Sequence, residues 1–112
     1  MVTQDDILEM EAGRELDALV AEKVMGWQNI DIYAQIRTSS SVGAGIEPGN
    51  EFPTDLPFYS TSIADAWEIV KKLYLTVAPY SDNKWHAADG KVIAFASTAS
   101  LAICRAALLT ML

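Results

Sequence analysis

The apolar positions at the start of the chain recur every three or four residues, which is the spacing of one helical face. This spacing predicts a first helix over residues 5–25, weakened at Gly13 and ended by Gly26, because glycine readily adopts the left-handed conformation that closes a helix. The acidic side chains between the apolar positions are interpreted as the solvated face of this helix. They are Asp5, Asp6, Glu9, Glu11, Glu15, Asp17 and Glu22. We expect residues 1–15 to form an acidic N-terminal helical extension and residues 16–112 to form a single α/β sandwich domain.

The period changes to two after the first predicted helix. Apolar residues at every second position of residues 29–37 predict a half-buried strand. The next stretch, residues 38–57, is rich in serine, glycine and proline and predicts a long loop. Helical spacing then returns, and either Ser60 or Ser62 can cap a second helix. Ser62 with Asp65 also fits the spacing of a capping box, except that Asp replaces the longer Glu. The apolar stripe expected to face the core from this helix consists of Ile63, Ala66, Trp67, Val70, Leu73 and Tyr74.

The last third of the chain predicts a strand, a hairpin and a helix. A short strand over residues 74–78 is closed by the proline that follows it. Two alternating runs, residues 84–88 and 92–97, flank Asp89-Gly90, a dipeptide that suits a tight hairpin turn. An apolar run over residues 98–111 predicts the final helix. The order α-β-α-β-β-β-α implies an α+β fold in which a small, mainly antiparallel sheet is sandwiched by helices.

Composition places the chain among single-domain globular proteins. It has 112 residues, of which 51% are hydrophobic and 21% charged, and its net charge is −7 at pH 7. A protein this acidic lacks the clustered Lys and Arg side chains that hold a nucleic-acid polymer. One cysteine, Cys104, and one histidine, His86, are too few for a zinc site or an internal disulfide. Because no apolar run is long enough to span a membrane, we expect a soluble, cytoplasmic protein that binds neither metal nor membrane.

Few residues of the chain could carry catalysis. Cys104 lies in the middle of an apolar helix, where a thiol is usually a small core residue. The carboxylate pairs lie at helix starts, where the helix dipole already explains them. Gly43-Ala44-Gly45 is not followed by the Lys-Ser or Lys-Thr of a phosphate-binding loop. We therefore expect no enzyme activity, no catalytic residue and no cofactor.

Arg105 is the only charged residue of the predicted final helix. A guanidinium among apolar neighbours pairs with a carboxylate, reaches water along its stem, or waits for an anionic ligand, and the sequence leaves all three open. Ser97 and Thr98 at the start of this helix could hold an anion or could simply cap the helix. Because the helix is apolar on nearly every side, it also predicts a homo-oligomer. The rings on which a base could stack are Tyr33, Tyr80, Trp85 and Phe95.

Three segments of the chain together resemble a known family. They are LVAEKVMGW (residues 19–27), YSTSIADAWEIVKKL (59–73) and STASLAICRAALLTML (97–112). In this order they resemble the phage ABA sandwich domain family, whose members are encoded by phages and prophages of bacteria. The chain departs from the usual family pattern in its longer acidic start and in the Ser-, Gly- and Pro-rich stretch of residues 38–57. The resemblance implies a β-sheet sandwiched by helices.

The family is similar in turn to the Thoeris anti-defence nucleotide-sponge proteins, which oligomerise and sequester cyclic nucleotide immune signals without cleaving them. In those proteins the ligand lies between subunits, with Arg side chains on phosphates and aromatic side chains on bases. The resemblance implies that Arg105 is a phosphate contact. It assigns Trp85, His86 and Asp89 to the ligand site more loosely, since they lie in the strand and turn that lead to the third matching segment.

The sequence therefore favours a phage-encoded, non-enzymatic binding protein that sequesters a small cyclic nucleotide in the bacterial host cell. Its predicted ligand-binding residues are Trp85, His86, Asp89, Ser97, Thr98 and Arg105. The alternative is an acidic protein–protein inhibitor or a structural phage accessory protein that uses the acidic first helix. A nucleotide-hydrolysing enzyme is a third, weaker hypothesis.

Overall fold

Ten helices and strands follow one another in the computed structural model, which describes residues 2–36 and 41–112. The helices are α1 (Gln4–Glu9), α2 (Arg14–Lys23), α3 (Ile63–Leu73) and α4 (Ala99–Thr110). The strands are β1 (Gln28–Asp31), β2 (Ala44–Ile46), β3 (Thr54–Asp55), β4 (Thr76–Ser81), β5 (Lys84–Ala88) and β6 (Ile93–Ala96). Strands β1–β2–β3 form sheet A and strands β4–β5–β6 form sheet B, both antiparallel. The predicted α+β sandwich is confirmed, with its strands divided between two small sheets.

The predicted first helix is two helices, because the chain breaks at Gly13. The Gly13 N–H donates to the Ser60 side-chain oxygen at 3.0 Å, and the Ser60 hydroxyl lies 3.2 Å from the Gly13 carbonyl. Ile7 of α1 is buried in the same core as α2, so the predicted extension packs against the rest of the domain. Asp17 of α2 is only 1% exposed, and its placement on the solvated acidic face is therefore wrong.

Sheet A is built from the region where the sequence predicted one strand and a loop. Strand β1 is shorter than the predicted strand over residues 29–37, because Asp31 turns the chain by accepting a hydrogen bond from the Tyr33 N–H at 2.9 Å. Strands β2 and β3 lie within the stretch that was predicted to be a loop. Gly45 of β2 is needed there, since a Cβ at this position would lie 3.0 Å from the Ile30 side chain. Residues 37–40, which belong partly to the predicted strand and partly to the predicted loop, lie outside the described residues.

Helix α3 begins as predicted but buries a different face. The Ser62 side chain accepts a hydrogen bond from the Asp65 N–H, which confirms Ser62 as the cap. The Asp65 carboxylate accepts a hydrogen bond from the Phe58 N–H instead of closing a capping box. The buried residues of α3 are Ala66, Ile69 and Val70. Ile63 and Trp67 are half-exposed and Tyr74 is exposed, so the predicted stripe is wrong at these three positions. Helix α3 packs against α4, and its three buried residues all belong to the hydrophobic core.

Strand β4 continues through Pro79, which was predicted to end it. Proline is tolerated there because β4 is an edge strand of sheet B, where one side of the backbone forms no ladder hydrogen bonds. Strands β5 and β6 form the predicted hairpin, in which Ala88 lies opposite Ile93. Gly90 in the turn has φ of +95°, a conformation that favours glycine.

Helix α4 lies at the centre of the molecule. It packs on one side against the three strands of sheet B and on the other sides against the three remaining helices. Eight of its residues are buried, including Cys104, and burial raises the pKa of the Cys104 thiol. The apolar surface of α4 is thus covered within one chain, so the inference of an oligomer from this helix does not hold. Homo-oligomerisation itself stays a prediction.

Candidate functional site

Arg105 donates to backbone carbonyls rather than to a carboxylate. Its Nε and Nη2 atoms donate to the Met10 carbonyl at 3.2 and 2.7 Å, and its Nη1 donates to the Phe95 carbonyl at 2.9 Å. This arrangement differs from all three alternatives that the sequence left open. It engages three of the five N–H groups of a guanidinium and links α4 to the end of α1 and to β6. A phosphate contact through Arg105 stays a prediction.

Three other predicted ligand residues lie at the start of α4 and in the turn between β5 and β6. Thr98 is the N-cap of α4, and its hydroxyl oxygen accepts a hydrogen bond from the N–H three residues later at 3.2 Å. Ser97 precedes it and is exposed. Asp89 accepts hydrogen bonds from two N–H groups of its own turn at 2.9 and 3.0 Å, and these bonds lower the pKa of Asp89. Capping a helix and closing a turn account for the positions of Thr98 and Asp89.

Sheet B has an inward face of three alanines and one tryptophan and an outward face that carries other aromatic rings. The inward face consists of Trp85, Ala87, Ala94 and Ala96, which pack in or against the core. His86 lies opposite Phe95, and because side chains alternate along a strand both project outward. The Tyr80 ring joins them, 5.0 Å from the Phe95 ring in an edge-on arrangement and 6.2 Å from the His86 ring. We call Tyr80, His86 and Phe95 the aromatic cluster.

His86 presents a polar atom to this cluster without a partner. Its Nδ1 atom is buried and has no hydrogen-bond partner among residues 2–36 and 41–112. A buried N–H donor without an acceptor is costlier than an unused acceptor lone pair, so we assign the proton of the neutral ring to Nε2.

The surroundings of the aromatic cluster suit an anionic, aromatic molecule. Tyr80 is 64% exposed, and the neighbouring Ile93 extends the apolar surface. Lys84 lies two residues before His86 on β5, hence on the same face, and is exposed. The described residues form no ion pair with Lys84. Rings on which a base can stack thus lie beside a cation that can meet a phosphate.

The predicted site residues do not form one constellation. His86 lies on the outward face of sheet B and Trp85 lies on the inward face. Arg105 lies on α4 and donates a hydrogen bond to the Phe95 carbonyl of β6. Tyr80 and Phe95 were considered only as possible stacking rings. Strand alternation could have grouped Phe95 with His86, because Ala94 and Ala96 flank Phe95 on β6 while Trp85 and Ala87 flank His86 on β5.

A cleft elsewhere in the molecule is lined by negative charges, in contrast to the aromatic cluster with Lys84 beside it. It has a volume of about 490 Å³, and its walls include the rings of Trp27 and Tyr59. Four carboxylates also line it, from Glu47, Asp55, Asp65 and Glu68. Burial raises the pKa of Tyr59 to about 12, a hydrogen bond with Trp27 opposes this rise, and the Asp65 and Glu47 charges add to it. Phosphate would be repelled here, so this cleft is not the candidate nucleotide site.

None of the helices in residues 2–36 and 41–112 has the length and hydropathy needed to cross a bilayer. The same residues contain no group of three or more His, Cys, Asp or Glu side chains placed to hold a metal ion.

Comparison with known proteins identifies relatives of the whole domain. The family profile of the phage ABA sandwich domain matches residues 18–108. A phage protein from Bacillus cereus ATCC 14579, known from a crystal structure at 2.0 Å, is 28% identical with a TM-score of 0.61, and the alignment covers 89% of this chain and 92% of that one. No curated protein matches the chain. Both matches support a phage-encoded protein, and because the profile spans most of the sequence, the chain belongs to the phage ABA sandwich domain family.

Proposed function

We propose that this phage protein captures a small, phosphate-bearing cyclic nucleotide and holds it without cleaving it. The observation that supports the proposal is the aromatic cluster on the outward face of sheet B. Aromatic rings grouped on the exposed face of a sheet are typical surfaces for stacking bases. By sequestering an immune signal in the cytoplasm of the bacterial host, such a protein would act as an anti-defence sponge.

Lys84 supplies the cation of the proposed site, because it lies on the same face as His86 and has no ion-pair partner among the described residues. One copy of the chain offers few further cations on this face. The proposal therefore includes a homo-oligomer in which a second copy completes the site. The proposal does not require Arg105, because three of the five N–H groups of its guanidinium donate to the carbonyls of Met10 and Phe95.

The test is a thermal-shift panel of cyclic dinucleotides, cyclic trinucleotides and cyclic ADP-ribose isomers. A ligand at a hundredfold excess over Kd stabilises the folded state by about 2.7 kcal/mol, which gives a clear rise in Tm. The protein is then heated to release the ligand for mass spectrometry. Release of the intact nucleotide supports sequestration, and release of an altered nucleotide contradicts the non-enzymatic part of the proposal.

Two variants test whether the ligand binds to the outward face of sheet B. Tyr80→Ala and Lys84→Ala should each weaken binding at least about fivefold, because loss of one stacked base or one phosphate contact costs roughly 1 to 3 kcal/mol. Phe52→Ala removes a ring of similar exposure from a loop away from sheet B and should leave Kd unchanged. Equal effects of all three variants would contradict this placement. If no nucleotide binds, the alternative is favoured, an acidic protein–protein inhibitor or a structural phage accessory protein.

A further inference from the structure

A groove between α2 and β1 combines an apolar floor with an acidic rim. Its floor consists of Ala18 and Leu19 from α2 and of Ile30 and Ile32 from β1 and the turn after it. All four side chains are only partly buried, although they pack against the core. The groove has a volume of about 540 Å³, which is the size of a site for a few side chains of a bound partner.

The rim of this groove is negatively charged along both sides. Glu15 and Glu22 lie seven residues apart on α2, hence on one helical face, and Asp31 lies on the side of β1. Of the described residues that line the groove, none is basic. Lys23 beside it contacts Glu22 at 3.2 Å, but both side chains are more than half exposed, so this pair neutralises little of the rim.

We propose that this groove binds a short amphipathic segment of a partner protein, with aliphatic side chains against the floor and Lys or Arg side chains along the rim. Charge complementarity carries this assignment, because opposite charges around an apolar contact steer association and fix its register. A second copy of the chain fits less well, since it would bring a net charge of −7 to an acidic rim. The proposal is independent of nucleotide binding at sheet B.

The test uses a fluorescent amphipathic helical peptide made of Leu and Lys, measured by anisotropy at low and at moderate salt. The matched probes are a peptide of the same composition with its pattern scrambled and an amphipathic peptide of Leu and Glu. In the protein, Glu15→Gln with Glu22→Gln removes two rim charges. Glu51→Gln with Asp82→Asn removes the same two charges from exposed positions outside the groove.

We expect the Leu-Lys peptide to bind and the rim variant to weaken it by about fivefold or more, whereas the control variant stays within about twofold of the original protein. The scrambled and acidic peptides should bind at least about tenfold more weakly, because the floor requires an apolar face and the rim repels acids. Equal losses in the two double variants would overturn the proposal, since they would show a general charge effect. A Leu19→Glu variant that changes the oligomeric state would also overturn it, in favour of a second copy as the occupant.

Discussion

Arg14 and Arg105 perform the same task, but among the described residues only Arg14 is paired with a carboxylate. Each guanidinium holds distant parts of the chain together through backbone carbonyls. Arg14 donates to the carbonyls of Val42, Leu56 and Pro57 at 2.9, 2.6 and 2.9 Å, and Arg105 donates to two carbonyls. Only Arg14 also has a carboxylate, since its Nη1 lies 2.7 Å from Asp17.

The difference lies in what surrounds each charge. Asp17 is buried, and it accepts hydrogen bonds from the Ser60 N–H at 2.8 Å and from the Ser60 hydroxyl at 2.6 Å. The Arg14 site is therefore a neutralised ion pair that is nearly saturated with hydrogen bonds. The Arg105 site keeps its positive charge and uses carbonyl dipoles alone. Removal of a partner should consequently cost more at Arg14 than at Arg105.

The largest effect is expected from Asp17→Ala. This change leaves the Ser60 N–H without its acceptor, leaves the Ser60 hydroxyl only the Gly13 carbonyl, and leaves the Arg14 charge without its counter-ion. We therefore expect the free energy of unfolding to fall by about 3 to 5 kcal/mol. Urea unfolding followed by circular dichroism measures the loss. Glu15→Ala on the exposed side of the same helix is the control and should change stability by less than about 0.5 kcal/mol. Similar small losses in both variants would show that the pair is not a stabilising contact.

Arg105→Ala should have an intermediate effect. It leaves the carbonyls of Met10 and Phe95 without their charged donor, and such hydrogen bonds are worth about 1.5 to 3 kcal/mol. We expect the free energy of unfolding to fall by roughly 2 kcal/mol in Arg105→Ala. Arg105→Lys should lose less stability, because a lysine can still donate to a carbonyl. If Arg105→Ala keeps its stability but no longer binds the nucleotide, Arg105 is the phosphate contact that the sequence predicted.

Local sequence patterns predicted the elements that depend on local rules. The Ser62 cap, the hairpin at Asp89-Gly90 and the final helix all follow from neighbouring residues, and each is present. The patterns failed where a distant contact decides. Asp17 looks like one more solvated acid until Ser60, 43 residues away, is placed beside it.

The candidate site shows the same division. The periodicity of α4 suggested a helix too apolar for one chain, but the sequence does not show that a sheet covers one side and three helices cover the others. For Arg105, apolar neighbours along the helix indicated a special role, whereas its partners lie 95 and 10 residues away in the chain. Once β5 and β6 are paired, the alternation of side chains along each strand places His86 and Phe95 together. Tyr80 could not be added in this way, because the register of β4 with β5 shifts between Pro79 and Ser81.

A pH titration distinguishes the two regions without removing a contact. Tyr59 lies between Phe58 and Ser60 on the Arg14 side, and burial raises its pKa to about 12 from the ordinary value of 10.0. The unfolded chain therefore loses this proton first, so stability is complete below pH 10 and is lost as the pH rises toward 12. At pH 11 the loss from this group is about 1.4 kcal/mol. Urea unfolding at pH 9 and pH 11 should show this decline, and Tyr59→Phe should reduce the pH dependence by that amount. An unchanged pH dependence in the variant would contradict the raised pKa.

The smallest effect is expected where the Arg14 site meets solvent. The Arg14 guanidinium carbon lies 3.9 Å from the centre of the Phe58 ring, and this ring is 37% exposed. A cation–π contact at such a site contributes about 0.5 to 1 kcal/mol, so Phe58→Leu should lower the free energy of unfolding by that amount. Phe52→Leu, at a ring that is 75% exposed, is the matched control and should have no measurable effect. A double-mutant cycle with Arg14→Gln separates the cation–π contact from lost packing, because only the contact gives a coupling energy. A coupling energy of zero would mean that Phe58 shields the ion pair without binding it, and the contrast between the two arginines would then rest on Asp17 alone.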